Sequence, residues 1–146
     1  MTINVDDVVD VFKLHTDVYN SGYFAHLKGY LIKHLKKGEL IFEEGVVIIL
    51  TQYQRQTVLG DYAAVKGDYN IREIVNKNPG NNNSISILNK VFENLEKPTK
   101  IWLTIKQDNK RGINFYKKAG FIITGSKTRN CGTLDCYMMC KNLEKN

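Results

Sequence analysis

The chain has 146 residues, 42% of them hydrophobic, a size and composition that suit a single domain with a real core. Its net charge of +6 fits nucleic acid or a polyphosphate ligand, but the lysines are spread along the chain without a long basic block, which favours the polyphosphate. No apolar run approaches the ~18 residues that span a bilayer, and the opening MTINVDDVVDVF has neither a basic start nor a continuous apolar core. No membrane association and a cytoplasmic location are therefore expected.

Val5, Val8, Val9 and Phe12 fall at i, i+3, i+4 and i+7 behind Asn4, a residue suited to capping, with Asp6 and Asp7 in the first turn. This predicts a short amphipathic helix. A longer one follows, with Tyr23 or Phe24, Leu27, Leu31 and Leu35 on one face, the lysines largely off it, and Gly38 at its end. His15, His26 and His34 sit in or near these helices and read as exposed or core-edge imidazoles. None has a metal-like partner at a useful spacing.

From Glu39 the period changes to two. Leu40 and Phe42 alternate with Glu39, Ile41 and Glu43, Glu44-Gly45 supplies a turn, and Val46 to Leu50 is a continuous apolar run, so a hairpin is expected. Residues 52–56 read as a polar edge or loop. Lys66-Gly67-Asp68 signals a turn, after which Tyr69, Ile71, Ile74 and Val75 form a further strand.

That strand runs into NKNPGNNNSISILNKVFENL. Pro79-Gly80 breaks it, three asparagines and a serine follow, and Leu88, Val91, Phe92 and Leu95 recur at helical spacing. A strand that passes through small polar residues into a helix start presents free amides and the positive end of a helix dipole, an arrangement suited to phosphate. The side chains of Asn82, Asn83, Ser84 and Ser86 add further donors.

The stretch IWLTIKQDNKRGINFYKKAGF, residues 101–121, reads as strand, cap, helix and stop. Ile101, Leu103 and Ile105 alternate, Asp108 or Asn109 caps, and Ile113, Phe115, Tyr116 and Ala119 lie at helical spacing before Gly120. Phe121, Ile122 and Ile123 then begin a strand that leads to Gly125, a polar loop runs to Gly132, and residues 134–140 form the last strand. Cys131, Cys136 and Cys140 lack paired metal-site spacing and read as reduced thiols, Cys131 beside Gly132 being the one placed to oxidise.

Asn109, Gly112, Phe115, Tyr116, Gly120 and Phe121 follow the pattern N-x-x-A-x-x-F-Y-x-x-x-G-F. In this the second half of the chain resembles the GNAT superfamily of N-acetyltransferases, with Gly112 where the pattern usually has Ala. The resemblance implies an α/β (α+β) fold: a mixed, mostly antiparallel sheet of six to seven strands, about four flanking helices, and two parallel central strands that splay apart. It also implies acetyl-CoA as cofactor. The family's diphosphate loop, (Arg/Gln)-x-x-Gly-x-(Gly/Ala), aligns with Asn81, Ser84 and Ser86, so both glycines are serines, and Asn82, Asn83 and Ile85 complete the loop.

The resemblance further implies that the backbone of Ile74, Val75 and Asn76 pairs with the pantetheine arm. Asn109 would hydrogen-bond the pantetheine, with Gly112 and Phe115 beside it. Tyr116 would protonate the departing thiolate. Glu73 is a candidate general base, and Glu43 and Glu44 are alternatives. The expected activity is direct acetyl transfer to a primary amine of an unread acceptor. The alternatives are a non-catalytic CoA-binding or interaction protein with a relaxed loop, or an enzyme that modifies nucleic acid. Monomer and homodimer stay open.

Overall fold

The computed structural model describes residues 2–15, 21–59, 62–129 and 134–144, with the side chains of residues 21, 81, 127–129 and 134 outside the description. Four helices, α1 (Val5–Lys13), α2 (Ser21–Lys36), α3 (Asn83–Glu93) and α4 (Lys110–Lys118), accompany eight strands. These are β1 (Leu40–Glu43), β2 (Val46–Gln52), β3 (Thr57–Leu59), β4 (Tyr62–Ala64), β5 (Tyr69–Asn76), β6 (Thr99–Lys106), β7 (Ile122–Arg129) and β8 (Leu134–Leu143). Six strands form one sheet in the order β1-β2-β5-β6-β8-β7, and β3 and β4 form a separate pair. The β1–β2, β6–β8 and β7–β8 pairs are antiparallel while β5–β6 is parallel, so the sheet is mixed as expected. Met1–Leu50 with Arg72–Asn94 make one compact unit, and Thr51–Ile71 with Leu95–Asn146 make a second.

In the first unit, Asn4 caps α1 by accepting from the Asp6 amide at 2.9 Å. Val8, Val11 and Phe12 of α1 pack with Leu27 and Leu31 of α2 and with Leu40, Val47, Ile49 and Val75 of the strands. Burying each of these larger side chains stabilises the fold by about 1.5–3 kcal/mol. All of Val46–Leu50 is buried, which is why β2 reads as a continuous apolar run instead of an alternating one. The α2 terminus is a Schellman motif: Gly38 N–H donates to the Leu35 carbonyl and Glu39 N–H to the His34 carbonyl, with Gly38 at φ 71°. Glu44 and Gly45, at φ 50° and 78°, make the β1–β2 turn. His34 departs from the expectation of an exposed or core-edge ring. It is 3% exposed, with Nδ1 2.8 Å from the Glu39 carboxylate that the α2 stop brings back to it.

In the second unit β6 pairs with β8 along its whole length, from Thr99↔Leu143 to Lys106↔Cys136. Asp68, 4% exposed, accepts from the amides of Val65 and Lys100 and from Trp102 Nε1. Trp102, Met138, Cys140, Leu59 and Ala64 form a cluster beside it. The α4 stop is a second Schellman motif, with Gly120 at φ 97° and Phe121 N–H donating to the Tyr116 carbonyl.

Several boundaries differ from the sequence reading, among them the end of β8, which reaches Leu143 instead of Cys140. Residues 57–64 hold the β3–β4 hairpin, whose three-residue strands are too short to show a period. Strand β7 continues past Gly125 to Arg129, a register irregularity between Ile123 and Gly125 absorbing the glycine. It is an edge strand of the sheet, so its polar residues suit it. Helix α3 ends at Glu93 with Asn94 as its cap, leaving Leu95 outside. Cys131 lies outside the described residues.

Candidate active site

Strand β5 and helix α3 are joined through a short 3-10 turn, Pro79–Asn81, and through Asn82, which sits in the left-handed region at φ 58°. The centre of this corner is Asn76. Its Nδ2 donates to Asn83 Oδ1 at 2.8 Å and to Ser84 Oγ at 2.7 Å, and its Oδ1 accepts from the Asn78 amide at 2.9 Å. Asn83 Nδ2 in turn donates to the Glu44 carbonyl at 3.0 Å. The side chains of Asn76, Asn83 and Ser84 thus build the loop instead of lining it, and Ser84 is 8% exposed. The Asn83 amide and the Ser84 hydroxyl, expected to donate to a phosphate, thus also take part in bonds within the loop.

The same arrangement accounts for serine at a glycine position of the pattern. Its hydroxyl oxygen is taken up by Asn76 within the buried corner. Asn82 makes no side-chain cap to α3, so amides of the first turn, which includes Ser84 and Ile85, have no intrahelical acceptor. The macrodipole adds a partial positive charge there. Ser86 is exposed and Ile85 half-buried. The Asn81 side chain lies outside the described residues. The donor set therefore fits a diphosphate through backbone amides.

Upstream on β5, the Asn76 carbonyl is 2.8 Å from His15 Nε2, so it already has a partner. Ile74 is half-buried and Val75 buried in the helix-facing cluster. Glu73 accepts from the Tyr23 hydroxyl at 3.3 Å. Burial first, and the Glu73 carboxylate second, push the Tyr23 phenol far above the ordinary range. Tyr30 is also raised, chiefly by burial, against a hydrogen bond with Arg72 that lowers it. The alternative bases are placed differently: Glu43 is ion-paired with Lys90 at 2.6 Å, and Glu44 occupies the hairpin turn.

In the second unit, the parallel ladder between β5 and β6 consists of Tyr69↔Ile101 and Asn70↔Trp102, with no further rung among the described residues. After β6 comes Asn109, which settles the choice of cap by accepting from the Gly112 amide at 2.9 Å. The expected pantetheine contact of Asn109 is thereby narrowed, since its Oδ1 serves α4. A Cβ on Gly112 would lie 2.8 Å from both Asn109 Nδ2 and Ile105 Cδ1, so the departure from Ala follows from how closely the cap folds over the helix. Tyr116 is half-buried and packs edge-on between Phe115, at 5.2 Å, and Phe121, at 5.5 Å. It is held by aromatic edges without being sunk in the core.

Sequence reasoning missed His15, Tyr23 and Asp68. Tyr23 and Asp68 lay in segments already read as a helix face and a turn, and no local pattern joins His15 to a carbonyl 61 residues away.

No protein-family model matches the chain, and no curated protein is similar to it in sequence. Solved structures are similar in fold. A putative acetyltransferase of the GNAT family from Desulfovibrio desulfuricans superposes with a TM-score of 0.74 at 13% identity, over 95% of this chain and 92% of that one. Ard1 from Thermoplasma volcanium gives 0.70 at 15% identity over 99% and 97%. The NatB acetyltransferase complex bound to CoA and MES gives 0.68 at 16% identity over 98% and 97%. With its mixed six-stranded sheet and parallel β5–β6 pair, the chain has the fold of the GNAT acetyltransferases.

Proposed function

We propose that the chain is an acetyl-CoA-dependent N-acetyltransferase that moves the acetyl group directly to a primary amine. The observation that carries this reading is the corner at Asn76: a strand end locked through its side chain to a helix start whose first turn has no side-chain cap. The similar NatB structures, bound to CoA and MES and to a bisubstrate inhibitor, support it.

In this reading the backbone from Asn81 to Ser86 holds the diphosphate, and the backbone of Ile74, Val75 and Asn76 holds the pantetheine. The resemblance assigns Asn109, Gly112 and Phe115 to the pantetheine and Tyr116 to the departing thiolate. Bound acetyl-CoA supplies the acyl group as a thioester, whose C–S bond breaks as the amine nitrogen bonds to the acyl carbon. Glu73 takes the proton that the amine loses. Tyr116 gives its proton to the departing sulfur. A phenol of pKa about 10 is neutral beforehand; full transfer to a thiolate whose conjugate acid lies near 8.5 is uphill, so a hydrogen bond carries much of the assistance, and a phenolate so formed regains its proton from solvent as Glu73 releases its own.

Calorimetry with acetyl-CoA tests the binding half. Mass spectrometry after incubation with acetyl-CoA and a panel of amines tests the transfer half, the panel comprising peptides with free N-termini, lysine-containing peptides and polyamines. Micromolar binding together with a gain of one acetyl group on a panel member is expected. Absence of binding at high micromolar acetyl-CoA overturns the reading, and binding without transfer to any member reduces the chain to a CoA-binding module.

A further inference from the structure

We propose that Tyr23 is a positioning residue for Glu73: its hydroxyl holds the carboxylate ionised and in one orientation, ready to take the proton of the incoming amine. This inference rests on the acetyl-transfer reading above and names a part of it that the chain's resemblance to acetyltransferases does not supply.

The two residues are 50 positions apart, on the first part of α2 and on β5, and the Tyr23 hydroxyl donates to Glu73 Oε1. The phenol ring is fixed by its neighbours. It stacks on Phe12 of α1 with centroids 6.3 Å apart and meets Phe24 edge-on at 6.3 Å. A ring clamped on two sides presents its hydroxyl in one direction, which a freely rotating side chain would not do. Among the described groups, Tyr23 and Tyr30 from α2 both feel the Glu73 carboxylate, Arg72 beside it on β5 hydrogen-bonds Tyr30, and Glu39 also acts on Tyr30. Because Tyr23 is half-buried next to a carboxylate, it stays protonated at any pH at which the enzyme would work, so it is a constant donor.

The comparison with the other carboxylates points the same way. A base must give up some of its stabilisation when it accepts a proton. Glu43 is bound to the Lys90 ammonium, and a cation that close opposes protonation strongly. The Tyr23 hydroxyl is a neutral donor, which orients a carboxylate at a smaller cost to its basicity than a cation does. A hydrogen bond to the ionised form still lowers its pKa somewhat, and that sign makes the role measurable.

The test compares wild type, Tyr23→Phe and Glu73→Gln. Carbon-13 NMR of glutamate-labelled protein follows each carboxyl through a pH titration, with Glu73→Gln identifying the Glu73 signal. Removal of the hydroxyl is expected to raise the Glu73 midpoint by about one pH unit. With the best acceptor of the amine panel, the acidic limb of kcat should move up by the same amount. The plateau should fall several-fold as the carboxylate loses its fixed orientation, while the acetyl-CoA Kd should not change. Site-specific 3-fluorotyrosine at position 23 keeps the fold and is a stronger donor, so it moves the limb the other way. It decides the matter should Tyr23→Phe fail to fold.

A midpoint and limb that stay put in both Tyr23 variants overturn the inference. So does a Glu73→Gln enzyme that keeps its acidic limb, while in that case acetyl transfer itself still stands. A wild-type protein that acetylates nothing overturns the proposed function, and this inference falls with it.

Discussion

Asn109 and Gly112 are fitted to each other: the side chain that caps α4 folds so closely over it that a methyl group on Gly112 would sit 2.8 Å from Asn109 Nδ2. The usual alanine of the acetyltransferase pattern has no room here unless the cap moves.

Gly112→Ala therefore tests the coupling. A helical glycine replaced by alanine ordinarily gains about 1 kcal/mol, and loss of an asparagine cap costs about the same. The substitution is expected to bring no net gain, and to lower the melting temperature by a few degrees if Ile105 cannot yield. In an Asn109→Ala background the same change should stabilise. Denaturant unfolding of the four members of the cycle measures the interaction directly. A full gain in the wild-type background would show that the cap is looser than its geometry implies.

The corner at Asn76 leads to the opposite expectation for a change toward the family pattern. Ser84→Gly removes the acceptor of a 2.7 Å hydrogen bond and leaves the buried Asn76 Nδ2 one partner short. The loss should be about 1–3 kcal/mol, with a further increment from the backbone freedom of glycine. Ser84→Ala should show the first part without the second. If the backbone is the ligand-facing side, acetyl-CoA affinity in calorimetry should fall less than stability does in either variant. Ser84→Asp, which places a carboxylate beside the diphosphate, should weaken binding most.

These relationships also mark what a sequence can reveal. Caps and stops were legible because they are local: Asn4, Gly38, Asn109 and Gly120 each act within a few residues of their own helix. The buried run of Val46 to Leu50 was legible because burial on both faces removes the polar alternation. The direction of the Ser84 hydroxyl was not, since it depends on Asn76, eight residues back across a turn and a left-handed asparagine. Nor was the Tyr23–Glu73 pair, which exists only once α2 packs on β5. Asp68 was read as a turn residue, and it is one, but its carboxylate also serves Trp102, 34 positions away. Side-chain identity narrowed the site; side-chain direction came from packing.

Cys140 predicts an alkaline limit to stability. Burial, opposed by Lys100 and reinforced by Asp68, pushes its thiol up to about 11. The fold thus holds this proton more tightly than the unfolded chain does, so unfolding releases it at pH values between the ordinary thiol range and about 11. Stability is unaffected below that range and falls as pH rises through it. Urea unfolding across pH 8–11 should show the decline, and Cys140→Ala should flatten it. At pH 8 an alkylating reagent should modify Cys140 slowly in the folded protein and rapidly in urea. Equal rates in the two states would mean that the thiol is accessible.

Tyr116 bears the most direct consequence for chemistry. Its ring is wedged between Phe115 and Phe121, and its carbonyl accepts from the Phe121 amide, so phenylalanine in its place should keep the packing and lose only the hydroxyl. If that hydroxyl assists departure of the thiolate, Tyr116→Phe should cut kcat by on the order of 10²-fold while acetyl-CoA Kd stays within about twofold. The loss should shrink when the leaving group is a more acidic thiol than CoA, because a better leaving group needs less help. Acetyl donors built on thiols of graded acidity supply that series. A loss of the same size for every donor would assign Tyr116 to positioning, and an unchanged kcat would remove it from the reaction.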